Sequence, residues 1–277
     1  MVKHKLFLKV NLFVKKLKIK NMKILLRLIS LFAILMFASC EPTRVYTTAS
    51  YGSLKSYTEK QHYIDKKTTK TYISGDLSFG EHEQDGGEFN DTKTIAAFNI
   101  HRTTTGKFYN FYYGLGGAFG SYKFKKGLNG LIADGEKNNF YSVSLKSGIN
   151  FTHSRPKVDW RFIGVEFSYL NEFGSYQDKL SYLLSQDAEA IIVNQKALIN
   201  YQFYSEYAFK TVNNNAITVG FYLGDILNYK DTQMYSGTTS FSGITLGVRL
   251  KKYAFHAVFE TGEGDIKSTK VGVTYNL

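Results

Sequence analysis

Residues 140–151, FYSVSLKSGINF, alternate in polarity: Tyr141, Val143, Leu145, Ile149 and Phe151 share one parity, and Ser142, Ser144, Lys146, Gly148 and Asn150 share the other. Successive side chains of a strand point to opposite faces, so this stretch has one apolar face and one polar face, with no helical period. The pattern recurs along most of the chain. Bounded by turn residues, it predicts about ten strands: 71–80, 92–101, 107–122, 139–152, 159–170, 197–210, 215–225, 240–251, 253–261 and 268–277.

The connections alternate in length. Segments 102–106, 153–158, 211–214 and the Lys251-Lys252 junction are short, whereas 81–91, 123–138, 171–196, 226–239 and 262–267 are longer and polar. An even number of antiparallel strands brings both ends of the fold to the side of the short turns. The expected fold class is therefore all-β, a single antiparallel up-and-down barrel. Apolar sets such as Ile163, Val165, Phe167 and Tyr169, or Ile244, Leu246, Val248 and Leu250, lie opposite Glu166, Ser168, Thr245 and Arg249. Periodicity alone fits a soluble barrel with its apolar face inward as well as a transmembrane barrel with that face outward. An aromatic content of 16% suits the interfacial girdles of the second.

The last residues, TKVGVTYNL, keep the alternation up to Leu277. They resemble the C-terminal targeting strand of bacterial outer-membrane barrels, with Leu277 where Phe is usual. From residue 71 to 277 the chain resembles small outer-membrane β-barrels. That resemblance implies short periplasmic turns, long extracellular loops and both barrel termini in the periplasm.

Residues 22–39, MKILLRLISLFAILMFAS, have a basic start and an apolar core at 28–38, the length of a signal-peptide h-region and too short for a span of roughly 20 residues. Phe37-Ala38-Ser39-Cys40 resembles the lipobox of bacterial lipoproteins, in which the cysteine is acylated and becomes the mature N-terminus. Cys40 is the one cysteine of the chain, which leaves no intramolecular disulfide framework. The expected organisation is a signal peptide at 1–39 (with Met22 a candidate true start), a periplasmic tether at 40–70 and the barrel at 71–277. The presequence holds nine Lys and Arg residues and no acid, so removing it leaves 26 basic against 23 acidic side chains in place of a net charge of +12. The basic balance belongs to the presequence, and no nucleic-acid partner is expected. Since Glu41-Pro42-Thr43-Arg44 has no acidic run of the kind that directs some lipoproteins to the surface, the anchor is expected in the inner leaflet.

If the apolar face meets lipid, Lys146, Glu166, Glu206, Arg249, His256, Glu260 and Lys270 face the lumen, where mixed signs predict a salt-bridged polar network. Lys146 and Glu166 are expected across one ladder. Of the mature histidines, His62 falls in the tether, His82 in a loop, His101 and His153 near turns, and His256 alone is expected inside a strand facing the lumen. No base lies near a nucleophile in a catalytic pattern, so no catalytic residue, metal ligand or cofactor is assigned. The cluster Gly114, Gly116, Gly117 and Gly120 is expected to make room inside the barrel. The acidic segment 81–91 reads as a solvated loop, and residues 176–184 as a short amphipathic helix that caps the barrel or docks a partner. The expected function is that of a lipid-anchored structural or accessory subunit of an envelope complex, in contact with outer-membrane lipids and an envelope protein. A narrow solute channel is the alternative, and an enzyme acting on lipid or peptide the second alternative.

Overall fold

The computed structural model of the protein describes residues 44–63, 66–84, 87–186, 188, 190–211, 215–228, 239–262 and 266–277. The presequence and Cys40 lie outside the described residues. A short strand β1 (Val45–Tyr46) comes first. Ten strands then build the wall: β2 (Thr68–Gln84), β3 (Phe89–Thr105), β4 (Tyr109–Lys123), β5 (Lys137–Ser154), β6 (Val158–Phe173), and, after helix α1 (Ser175–Ser185) and the short β7 (Ile191–Ile192), β8 (Ala197–Lys210), β9 (Ala216–Ile226), β10 (Phe241–Leu250), β11 (Tyr253–Gly262) and β12 (Ile266–Asn276). Each pairs antiparallel with its neighbours, and β12 pairs with β2, so that Tyr275 faces Ile73 and the sheet closes. Closure leaves no unpaired edge.

Each of the ten expected strands has one counterpart in the wall, and the structure extends several of them toward the long-loop end. Strand β2 runs to Gln84 and β3 starts at Phe89, so most of the acidic segment is a projecting hairpin. At the other end the turns are tight. Lys251, at φ 57°, takes the left-handed conformation that lets β10 reverse into β11.

The alternation resolves with its apolar face outward. Leu115, Val143, Leu145, Phe167, Phe203 and Leu246 are exposed, while Asn99, Glu166, Gln202 and Thr245 on the opposite face are buried. Aromatic pairs mark both rims of this apolar belt. Trp160 stacks on Tyr207 at 5.6 Å and Tyr253 meets Tyr275 at 5.1 Å near the short turns, and Tyr141 stacks on Phe173 at 5.9 Å toward the loops.

One irregularity tunes the register. Between β5 and β6, Ser154 pairs with Asp159 and Thr152 with Arg161, but Phe151 pairs with Ile163, which leaves Phe162 as an extra residue. A bulge of this kind bends the strand and resets its parity. Asp159 and Arg161 face inward below it, and Gly164 and Glu166 face inward above it. The offset puts Lys146 opposite Ser168 and Glu166 opposite Gly148, so the expected Lys146–Glu166 cross-strand pair does not form.

Candidate functional site

The lumen is occupied by the chain's own residues 44–63. This segment, expected as a tether outside the barrel, instead runs through it from one mouth to the other. From Tyr46 to His62 it is buried, with Ser53, Leu54 and Ser56 half-buried.

At the long-loop mouth, β1 pairs parallel with β7, and Gln84 at the tip of β2 bonds both the N–H and the C=O of Val45, each at 2.9 Å. Arg44 donates to the Gly127 carbonyl at 2.6 Å in the β4–β5 loop. At the short-turn mouth, His62 Nδ1 lies 2.5 Å from the Asp159 carboxylate, and the Thr105 hydroxyl donates to the Gln61 carbonyl at 3.1 Å. The chain then turns back into β2 at Thr68, whose partner in β3 is Thr105.

Beyond Tyr46 the extended segment pairs with no strand, so its peptide groups must find partners among side chains or water. The wall supplies them as charges. Glu172 accepts the N–H groups of Ala49 and Ser50 at 3.0 and 2.9 Å, and Glu260 accepts those of Leu54 and Lys55 at 2.9 and 3.0 Å. Lys93 donates to the carbonyls of Ala49 (2.9 Å) and Tyr51, and Lys270 donates to those of Ser53 and Lys55 at 3.2 and 2.6 Å. Arg161 and Arg249 both donate to the Lys60 carbonyl. Lys146 bonds the hydroxyls of Ser56 and Thr58 at 2.6 and 3.0 Å.

Ion pairs complete the arrangement. Lys55 meets Glu166 and Lys60 meets Glu206, each at 3.4 Å, while Arg161 pairs with Glu206 and Arg249 with Glu59. All seven residues expected in the lumenal network are buried there. Their principal partner is the threaded segment more than one another. His256 bonds Asp76 and stacks on Tyr57 of the segment, with ring centroids 4.4 Å apart. Gly247 leaves room for that ring, since a Cβ there would come within 2.7 Å of the Tyr57 hydroxyl.

Several lumenal residues escaped the sequence reading. Asp76, Lys93 and Asn99 lie on inward positions of β2 and β3, and strand parity alone could have flagged them. Arg161 could not be found that way, because the bulge inverts its face. His82 and His101 are also corrections: both are buried in strands, with His101 stacked on Tyr72 at 5.1 Å and 3.2 Å from the Glu59 carbonyl. The glycines of β4 do make room, but for side chains of adjacent strands: a Cβ on Gly116 would meet Asn99 at 2.3 Å and Ser144 at 2.7 Å.

The long-loop mouth is closed by an apolar cap. Helix α1, predicted over 176–184, buries Tyr176, Leu180 and Leu183 against Tyr46 of the threaded segment and Phe124, Leu128 and Ile132 of the β4–β5 loop. Tyr176 stacks on Tyr122 at 4.5 Å and donates to the Thr47 carbonyl at 2.8 Å. Burial, reinforced by the Glu172 and Asp91 charges, holds its hydroxyl well above the ordinary phenol range. On the outer side of the cap, Lys179 reaches Glu136 at 2.8 Å. Partial burial raises the Glu136 carboxyl, but hydrogen bonds from Lys179, the Ala133 N–H and Asn138 outweigh it and leave its pKa lowered.

Of the acidic hairpin, Asp91 turns inward to Tyr122 at 2.9 Å and the Lys125 N–H at 2.7 Å, while Glu88 pairs with exposed Lys126 at 3.0 Å. Among the described residues, no three His, Cys, Asp or Glu side chains gather as a metal site. Beside the segment lies a cavity of about 60 Å³, lined by Ser78, Asn99, Ser142, Ser144 and Lys146 among others. A polar space of that size is large enough for a few water molecules.

No protein-family model matches the sequence, and no curated protein does. Solved structures do. Neisserial surface protein A is similar at 10% identity over 75% of this chain and 97% of its own, with a TM-score of 0.33. The deltaS2S3 mutant of the monoaromatic hydrocarbon channel TodX is similar at 10% identity over 86% of this chain and 73% of its own, with a TM-score of 0.36. The β domain of the Bordetella autotransporter BrkA is similar at 11% identity over 76% and 99%, with a TM-score of 0.37. At these values the closed barrel itself carries the argument.

Proposed function

We propose that this chain is a lipid-anchored outer-membrane β-barrel, closed by its own N-terminal segment, that serves as a structural or accessory subunit of the cell envelope. The membrane reading is supported by the exterior. A continuous belt of exposed Leu, Val, Ile and Phe rimmed by aromatic pairs is costly in water and favourable in a hydrocarbon layer. The wall strands, 10 to 18 residues long, meet or exceed the roughly 9–11 residues needed to cross. The lipid anchor is supported by the signal sequence and by Cys40.

The observation that carries the subunit reading is the filled lumen. A segment bonded to charges on seven of the ten wall strands leaves space for a few waters and no route for a solute. The face left to act is then the long-loop end, where α1, the β4–β5 loop and the β2–β3 hairpin form one packed surface that a partner can meet. The decisive experiment is to purify the protein from its native membrane in mild detergent with antibodies to the chain, and to record the same preparation in a planar bilayer. A stoichiometric envelope protein and a silent bilayer are expected. Discrete conductance steps from a protein that elutes alone would replace this reading with the channel.

A further inference from the structure

The threaded segment has a direction, and the direction decides on which side of the membrane the mature chain begins. Outward positions of β2 run Ile73, Leu77, Phe79 and then Glu81 and Glu83, so the apolar belt ends near Phe79 on the loop side. Val45 is bonded to Gln84, five residues beyond Phe79 and well into the aqueous layer. From that point the segment descends through the lumen to His62 at the short turns. Arg44 therefore leaves the barrel at the long-loop mouth, on the side opposite the start of β2.

We infer that the N-terminus of the mature protein lies on the long-loop side, and that the acyl chains of Cys40 insert in the outer leaflet from the cell surface. Both placements rest on the reading of Cys40 as the mature N-terminus, and that of the lipid needs its thiol to be acylated as well. Four residue steps separate Cys40 from Arg44, a reach of at most about 14 Å for a fully extended chain. The apolar band of such a barrel is about 25 Å tall. The lumen is already filled, and a polar backbone cannot run down the lipid-facing wall without losing its hydrogen bonds to solvent. The connection is therefore too short to bring the cysteine back to the inner leaflet. The chain would be pinned at two levels: by lipid beside the loops, and by the charges that grip residues 49–62 inside the wall. An inner-leaflet anchor, the expectation from the missing acidic run, does not fit this path.

The test uses single cysteines in the full chain expressed in its own membrane: Thr43→Cys beside the anchor, Glu88→Cys in the β2–β3 hairpin and Lys157→Cys in a short turn. Intact cells are treated with a membrane-impermeant maleimide, and metabolic incorporation of an alkyne fatty acid reports acylation of Cys40. The expected result is that Thr43→Cys labels on intact cells as Glu88→Cys does, whereas Lys157→Cys labels only after permeabilisation. The wild-type chain stays unlabelled because its thiol carries lipid. If Thr43→Cys behaves like Lys157→Cys, the threading direction is overturned even when acylation is intact. If the wild-type thiol labels and takes up no fatty acid, the lipid placement falls, and whether that thiol labels on intact cells or only after permeabilisation decides the side on which the chain begins.

Discussion

The two mouths of the barrel hold the same segment by opposite means. At the long-loop end, Tyr46 is locked among Phe124, Tyr176, Leu180 and Leu183, an apolar cluster assembled from a loop and a helix. At the short-turn end, residues 59–62 are held by Arg161, Arg249, Glu206 and Asp159, charges mounted on the wall strands. The difference follows from what each end is built of. The loop mouth has enough extra chain to make a small hydrophobic core above the apolar belt. The short turns have none, so strand side chains must reach inward. They can do so only as long polar groups, because inward positions of this wall are polar. The segment is thus stoppered at one end and riveted at the other.

Removing the segment abolishes both attachments at once and gives the largest expected effect. Deletion of residues 44–63 should leave a barrel that still assembles and conducts in a planar bilayer, where the wild type is expected to be silent. Continued silence would mean that the wall charges alone close the lumen. Next in size is the riveted end. Arg161→Ala strips Glu206 and the Lys60 carbonyl of a buried partner, and such a loss costs about 3–5 kcal/mol. The check is the denaturant midpoint followed by the gel shift between folded and boiled barrel. A midpoint near wild type would mean that Lys60 and water replace the guanidinium.

At the stoppered end, Leu180→Ala should cost about 2–3 kcal/mol as a buried Leu truncated in a small core. The signature is local: proteolysis of the loop from residue 174 to 196 should speed up while the barrel midpoint moves less than in Arg161→Ala. Equal global loss from both variants would erase the contrast between the mouths. The smallest effect belongs to Glu136→Gln on the outer side of the cap. The Glu136 pKa is lowered in the fold, so its contribution is present above the ordinary carboxylate range and fades as pH falls through the lowered value. For this partly exposed pair it is at most about 1 kcal/mol. Wild type and variant should differ slightly in loop proteolysis at neutral pH and converge in acid.

What could be read in the sequence was what has a period. Ten strands, their faces and the alternation of short and long connections all follow from period-2 patterning, and the wall has each of the ten. Helix α1 was legible because Tyr176, Leu180, Leu183 and Leu184 recur at helical spacing. The threaded segment was not, because residues 44–63 are held chiefly through their peptide groups, and a main chain bonded to lysines and carboxylates imposes no pattern on its own side chains. The lumenal charges resembled a self-paired network for a related reason: their partners are backbone and side-chain atoms of the threaded segment, which carries no period to reveal it. Arg161 was hidden by a single inserted residue, Phe162, which turns the strand's inward parity over by one.

The central claim, that residues 44–63 fill the lumen, is tested most directly by the contact between Ser53 and Ser78, whose hydroxyls lie 2.9 Å apart. A Ser53→Cys/Ser78→Cys chain should form an intramolecular disulfide in the assembled barrel, seen as a faster band on a boiled, non-reducing gel that reverts with reductant. Two free thiols that react with a small maleimide in the native membrane would contradict the account and put the segment outside the barrel.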